Sequence, residues 1–172
     1  MNDRVSVRAA TPKDVDVFLA LVDGLADYEK LPRPNSEARA RLIRDGFTSP
    51  RPRFEALLGE LNGKPVGYAI IFETYSSFLA LPTLYLEDIF ALPEARKKKV
   101  GYALFMHCVR EAVRRGCGRM EWLVLDWNEL AQGVHRRLGA RQLEEWRLCR
   151  LDGEALRHLT SEPAADMIKE EN

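Results

Sequence analysis

The chain has 172 residues, 46% of them hydrophobic and 30% charged, which suffices for one sizeable core. Its 26 Lys and Arg balance 26 Asp and Glu, so neither a globally basic nucleic-acid binder nor an acidic disordered chain fits, and charge-driven binding must be local. Cys108, Cys117 and Cys149 give an odd count with no CxxC pair, which argues against a disulfide framework or a zinc ribbon and fits a reducing cytoplasm. No metal site is expected. Residues 1–16 show no basic segment followed by an apolar one, and the longest apolar runs, such as 66–72, are soon interrupted, so neither a secretory signal nor a membrane span is expected. Without a repeat or a low-complexity linker, one domain is expected over residues 1–160, with a polar tail at 161–172.

Along the chain, strands and helices alternate in the order β-α-α-β-β-β-α-β-α-β. Val5 to Arg8 alternates apolar with polar and reads as a strand. Thr11-Pro12, with Asp14 three residues after Thr11, reads as a helix start. That helix should run to about Glu29, its stripe formed by Val15, Phe18, Leu19, Val22, Leu25 and Ala26, and Leu31-Pro32-Arg33-Pro34 should stop it. Ser36 can cap a shorter helix through Leu42 and Ile43, ended by Gly46.

Two apolar runs, Phe54 to Leu61 and Val66 to Thr74, flank Asn62-Gly63, which predicts a hairpin. Leu84 to Leu92 predicts a third central strand, interrupted by the polar pair Glu87-Asp88. A helix follows from about Lys99 to Arg115, closed by Gly116. Met120 to Asp126 predicts a strand, Leu130 to Leu138 a short helix closed by Gly139, and Gln142 to Leu151 a last strand. Asp152 reads as the start of a final helical turn.

The junction between the Leu84 strand and the Lys99 helix carries Pro93-Glu94-Ala95 and then Arg96-Lys97-Lys98-Lys99-Val100-Gly101. A helix N-terminus offers unpaired amides and the positive end of the dipole, so four consecutive cations there point to a phosphate or pyrophosphate ligand. The same run taken alone also reads as a solvated basic turn. There is no GxxxxGK[ST] and no GxGxxG after a first strand, which excludes a P-loop and a dinucleotide fingerprint.

Arg96-x-x-Lys99-x-Gly101 resembles the R/Q-x-x-G-x-G/A pyrophosphate loop of the Gcn5-related N-acetyltransferases (GNAT). Leu25 to Glu29, Tyr85 to Phe90, Trp127-Asn128-Glu129, Arg136 to Ala140 and Trp146-Arg147-Leu148 are similar to the spermidine/spermine and thialysine N-acetyltransferase branch. The resemblance covers roughly residues 5–159. It implies an α/β (α+β) GNAT fold, with a mixed, mostly antiparallel sheet of six to seven strands flanked by helices.

The resemblance further implies transfer of acetyl from acetyl-CoA to a primary amine of a polyamine, diamine or lysine-like acceptor, by direct attack in a ternary complex. The alternatives are a peptide or protein acetyltransferase, and a degenerate GNAT that binds CoA without turnover. Cofactor contacts fall on Ile89, Phe90 and Ala91 of the strand, on Arg96, Lys97, Lys98, Lys99, Val100, Gly101 and Tyr102, and on Asn128. Glu87 is implied as direct or water-relayed base and Asp88 as a hold on the cationic acceptor. Tyr28, Glu29 and Trp146 match acceptor-binding positions. Each also has a plain structural reading, Asp88 and Glu87 as partners of the basic run and Tyr28 and Trp146 as packing. A homodimer is likewise implied, while local charge alone is a weak basis for nucleic-acid binding.

Two positions depart from the family pattern. Lys99 stands where the loop's first glycine is usual, which puts close phosphate approach in doubt. The tyrosine usually proposed to protonate the CoA thiolate falls on His135, whose imidazolium, with a pKa of about 6.5 against roughly 8.5 for a thiol, can donate downhill. Tyr102, Tyr85 and water are the substitutes. Adjacent Glu87 and Asp88 point to opposite faces of a regular strand, so one pocket receives both only across a bulge.

Overall fold

The computed structural model describes residues 3–161. They group as two compact units, one reaching Leu123 and the other starting at Val124. Residues 162–172, which hold all but the first residue of the expected tail, lie outside the described residues.

The first unit is a sheet in the order β1-β2-β3-β4-β5, formed by β1 (Val5–Ala9), β2 (Glu55–Leu61), β3 (Lys64–Ser76), β4 (Leu81–Ala91) and β5 (Arg119–Trp122). Pairing is antiparallel except between β4 and β5, which run parallel. Five strands among the described residues replace the expected six to seven.

The β2–β3 hairpin forms as predicted, because Asn62 and Gly63 both take positive φ (54° and 80°), the backbone of a type I′ turn that matches strand twist. The helix start at Thr11 also forms: its backbone N–H and hydroxyl both donate to Asp14, at 2.8 and 2.7 Å. Arg8 then donates to Asp14 and Glu60, tying β1 to β2 and to the start of α1 (Val15–Glu29).

Helix α2 (Ser36–Ile43) is capped one residue earlier than expected, by the Asn35 side chain accepting from the Ala38 N–H. Gly46 does not end it. The chain continues as a π-helical turn over Arg44–Thr48, and a Cβ at Gly46 would lie 2.4 Å from the Phe54 ring, so the glycine serves close packing instead.

Helix α1 covers one face of the sheet, where Phe18 and Leu21 pack with Ala56, Leu58, Tyr68, Ile70 and Phe90. Helix α3 (Val100–Arg114) covers the other, where Val100, Leu104, Phe105 and Cys108 pack with Leu57, Ile71, Leu84 and Leu86. The strand alternation is interrupted once in β4. Ile70 pairs with Asp88 but Ile71 pairs with Leu86, so Glu87 is an extra residue, a β-bulge.

The bulge reverses parity. Leu84 and Leu86 face α3, and beyond the bulge Ile89 and Ala91 take over that side while Phe90 faces α1. Beyond Leu86, which pairs with Trp122, β4 continues for five more residues without pairing to β5.

In the second unit, α4 (Glu129–Arg137) is capped by the Asn128 side chain, and Gly139 follows with φ of 86°. α5 (Gly153–Ser161) begins on Asp152, whose carboxylate accepts from the amides of Glu154 and Ala155. The expected strand over Gln142 to Leu151 does not form, and β5 ends at Trp122 rather than at Asp126. Alternation starts only at Trp146, after Glu144-Glu145, and a strand without a ladder leaves its amides and carbonyls unpaired.

The register around Gly67 admits no side chain, since a Cβ there would lie 2.7 Å from the Phe90 carbonyl oxygen. That oxygen is backbone and cannot rotate away. Gly67→Ala is therefore expected to destabilise the fold by about 2 kcal/mol, read as a lower urea midpoint, a magnitude typical of overpacking.

Candidate active site

Strand β4 delivers the chain through Leu92 and a 3-10 turn (Pro93–Ala95) into the basic run, which opens α3. Lys99 caps the helix by its backbone alone, with φ of 65° and ψ of 13°, and no side chain accepts from the first turn. The helical ladder begins with the Ala103 N–H donating to the Lys99 carbonyl at 2.9 Å, so the amides of Val100, Gly101 and Tyr102 precede it.

A left-handed residue followed by a right-handed one turns successive amides toward a common point, an anion-binding nest. This explains why glycine is usual at position 99: the conformation is the one that glycine adopts at low cost. Here lysine adopts it, as does Lys97 with φ of 63°. Gly101 has nothing within 4 Å of a Cβ position, which leaves its surface open to a ligand. Beside it, an open groove of about 700 Å³ is lined by Lys97, Lys98, Lys99, Tyr102 and Arg110 together with Asp3.

The four cations do not act alike. Lys98 pairs with Asp3 at 2.7 Å. The Arg96 guanidinium lies 4.9 Å from the centre of the Tyr28 ring, a cation–π contact that links the loop to the end of α1. Lys97 and Lys99 face the groove. Farther along, Arg114 and Arg115 are engaged by Glu111, Glu55 and Glu73, and Arg119 by Glu121, so they build no continuous basic strip.

The α1 side of β4 is acidic. Asp88 accepts a hydrogen bond from the Tyr68 hydroxyl at 3.0 Å, and burial pushes its carboxyl up to about 6, helped by the charges of Glu87 and Glu29 and opposed by the Tyr68 bond. Burial also raises Glu29. Tyr68 is held well above the ordinary tyrosine range, first by burial and then by Asp88. Tyr28 packs on the ring of Phe90. The structure thus brings Tyr28, Glu29, Glu87 and Asp88 into one neighbourhood, with Glu87 exposed on the bulge and Asp88 half-buried beside it.

Ile89, Phe90 and Ala91 form the stretch of β4 beyond its pairing with β5, with Phe90 buried. Tyr85, a substitute proton donor, is raised by burial and by Glu87, which makes it a weaker acid. In the second unit Asn128 caps α4, His135 lies on that helix, and Trp146 stands in a segment without regular secondary structure. Burial pushes His135 below the ordinary histidine value, so the neutral ring predominates at pH 7. Among the described residues no group of three His, Cys, Asp or Glu is placed to hold a metal ion, and no helix is long and apolar enough to cross a membrane.

Tyr68 was not a candidate on sequence grounds. The signal available was a phenol inside the apolar run Val66 to Phe72, since a buried tyrosine hydroxyl needs a partner. Its partner is twenty residues away and visible only once β3 and β4 are in register.

Residues 20–140 match the sequence model of the acetyltransferase (GNAT) family. The chain belongs to the GNAT family. It is 33% identical to the thialysine N-epsilon-acetyltransferase of Bos taurus over 166 residues, covering 90% of this chain and 96% of that protein. Over 90 residues it is 44% identical to L-ornithine N5-acetyltransferase NATA1 of Arabidopsis thaliana, which is 52% of this chain but only 40% of that relative's length.

Among solved structures, an integron cassette protein from the mobile metagenome of V. cholerae superposes with a TM-score of 0.78 at 20% identity, covering 94% of this chain and 99% of its own. The aminoglycoside N-acetyltransferase AAC(6')-Iy, in complex with CoA, superposes with a TM-score of 0.69 at 20% identity, covering 88% and 97%. These likenesses show the fold. As a GNAT member with N-acetyltransferase relatives, the protein is an N-acetyltransferase.

The raised Asp88 carboxyl has a consequence for stability. Because its folded value lies above the unfolded one, the fold gains from the protonated acid at low pH and loses that gain as pH rises through about 6. Asp88→Asn keeps an acceptor for Tyr68 without the charge. It is expected to raise stability at pH 8 by about 1 to 2 kcal/mol and to have little effect near pH 4, as read by urea denaturation at the two pH values.

Proposed function

We propose that this enzyme transfers acetyl from acetyl-CoA to a primary amine of a small cationic acceptor, a polyamine, a diamine or a lysine-like amine, by direct attack with both substrates bound. The observation that carries this reading is the convergence of Glu29, Glu87 and Asp88 on the α1 side of β4, with no cation paired to Asp88 among the described residues. A cluster of carboxylates without a paired cation attracts a cationic ligand. The names of the thialysine and ornithine relatives agree with that chemistry.

The residues present fit the donor. The amides of Val100, Gly101 and Tyr102, with the Lys97 and Lys99 side chains at the groove, would hold its pyrophosphate, and the free edge of β4 at Ile89 to Ala91 would take its extended arm as a strand takes a neighbour. When bound, acetyl-CoA supplies the activated acyl carbon. Glu87 on the bulge takes the ammonium proton, directly or through water, so that the amine nitrogen gains a free pair. Asp88 and Glu29 hold the acceptor's charge, and Tyr28 lines its approach.

A neutral His135 at pH 7 is a poor proton donor, so we place it outside proton delivery: the second proton of the amine, lost as the C–N bond forms and the C–S bond breaks, would pass to the departing sulfur through water or Tyr102, and His135→Phe is expected to retain kcat. The family match crosses the boundary between the two units, which supports reading residues 1–160 as one functional domain. The polyamine-branch resemblance supports a homodimer, checked by light scattering. It also supports a cytoplasmic setting, with which the free thiols of Cys108, Cys117 and Cys149 agree.

The test is thiol release from acetyl-CoA with spermidine, putrescine, thialysine, lysine, ornithine and a basic peptide. Release with one or more of the small amines is expected, and Glu87→Gln is expected to lower kcat about 100-fold with the Kd for acetyl-CoA unchanged. Turnover with the peptide alone would move the assignment to protein substrates. Binding of acetyl-CoA without release for any amine would mark a degenerate binder.

A further inference from the structure

We infer that Tyr68 is a positioning residue for amine recognition, its buried hydroxyl fixing the Asp88 carboxylate and favouring its anionic form for the cationic acceptor. The inference rests on the acceptor reading above and assigns to Tyr68 a task in it that the family loop and the acidic pair do not supply.

The geometry is specific. Tyr68 is 0% exposed, and its ring is held edge-on by Phe18 at 5.5 Å and by Phe90 at 6.5 Å, so the hydroxyl has one fixed direction. That direction ends on Oδ2 of Asp88. The other carboxylate oxygen, Oδ1, accepts no hydrogen bond from the described residues, and an ionised carboxylate has lone pairs for further donors.

The groups facing Asp88 from its surroundings are Glu29 at the end of α1, Glu87 beside it on β4 and Tyr68 on β3. Both acids disfavour the anion, as does burial, and among the described residues Tyr68 is the group that favours it. Without that hydroxyl a larger share of the carboxyl would hold its proton near neutral pH and present a neutral acid to an ammonium. With it, Oδ2 is satisfied and Oδ1 is left for the acceptor.

The test is Tyr68→Phe, which keeps the ring in its aromatic setting. In the wild type, the Asp88 carboxyl carbon followed by 13C NMR is expected to titrate near pH 6. In Tyr68→Phe the midpoint should rise by about half a pH unit or more, the worth of one hydrogen bond. The acid limb of kcat/KM for the amine should move with it, while kcat above pH 8 stays within about twofold, since the bond acts on the charge of Asp88 and not on the acyl step.

A loss confined to packing would lower stability and leave both pH readouts in place. An unmoved Asp88 midpoint, or a moved midpoint with an unmoved acid limb, overturns the inference. Should Tyr68→Phe fail to fold, protein grown on 3-fluorotyrosine, a more acidic phenol, is expected to shift the same midpoint downward, and no shift would overturn the inference. If the wild type acetylates no amine, the functional proposal fails, while the carbon titration still decides whether Tyr68 governs Asp88, so the two failures are read separately.

Discussion

One inserted residue in β4 decides which side of the sheet Asp88 and Phe90 face. With regular alternation, Leu84, Leu86, Asp88 and Phe90 would share the face covered by α3, and Asp88 would lie in the apolar core of Leu104, Phe105 and Cys108. The bulge at Glu87 reverses the alternation, so that Leu84 and Leu86 keep that core closed while Phe90 faces α1 and Asp88 reaches Tyr68. Pairing of β4 with β5 ends next to the bulge, at Leu86, and among the described residues the rest of β4 has no partner strand on that side before the helix start of α3. The acid cluster follows from that register shift, and the helix start with its left-handed Lys99 lies a short turn farther along the same chain.

The chain is electrically neutral, and its charges are sorted rather than absent. Arg8 and Arg115 each gather two or three carboxylates into structural clusters, at the start of α1 and at the end of α3. Lys97 and Lys99 are left facing the groove, and Glu29, Glu87 and Asp88 are left facing one another. A phosphate-bearing donor and a cationic acceptor would each meet the opposite charge, at two places joined by five residues of strand and a short turn. The Arg96 to Tyr28 contact sits between them and joins the loop to α1.

How far the sequence revealed this follows from the range of the interactions concerned. Local signals were legible: the Asn62-Gly63 turn, the Thr11 to Asp14 start, the stripes of α1 and α3 and the basic helix start all depend on residues within about one turn of each other. Lys99 looked like a defect in the loop motif, and the structure shows that the backbone conformation is kept with lysine in glycine's place. Glu87-Asp88 carried the possibility of a bulge, but its presence depends on the register against Ile70 and Ile71, which no local pattern encodes. The same limit hid Tyr68, whose partner lies on the next strand, and it misread Gln142 to Leu151, where an alternating pattern lacks a ladder.

The acid cluster also shows how a binding site and a stable fold oppose each other. Bringing Asp88 out of water beside Glu87 and Glu29 raises the free energy of its ionised form, so the folded chain at neutral pH holds a charge it would be more stable without. Tyr68 returns part of that cost through one hydrogen bond, and no cation among the described residues returns the rest. A bound ammonium would do so, and its affinity would draw on that stabilisation. On the proposed reading an order of preference among amines would follow from charge and reach: a monoamine offers one cation, which would become neutral on giving its proton to Glu87, whereas a diamine or a lysine-like amine would keep a second cation on Asp88 and Glu29 while the first reacts. On the proposed acceptor reading, the acidic face of β4 would discriminate by the number of charges an acceptor carries, and the bulge would set where the reacting one stands.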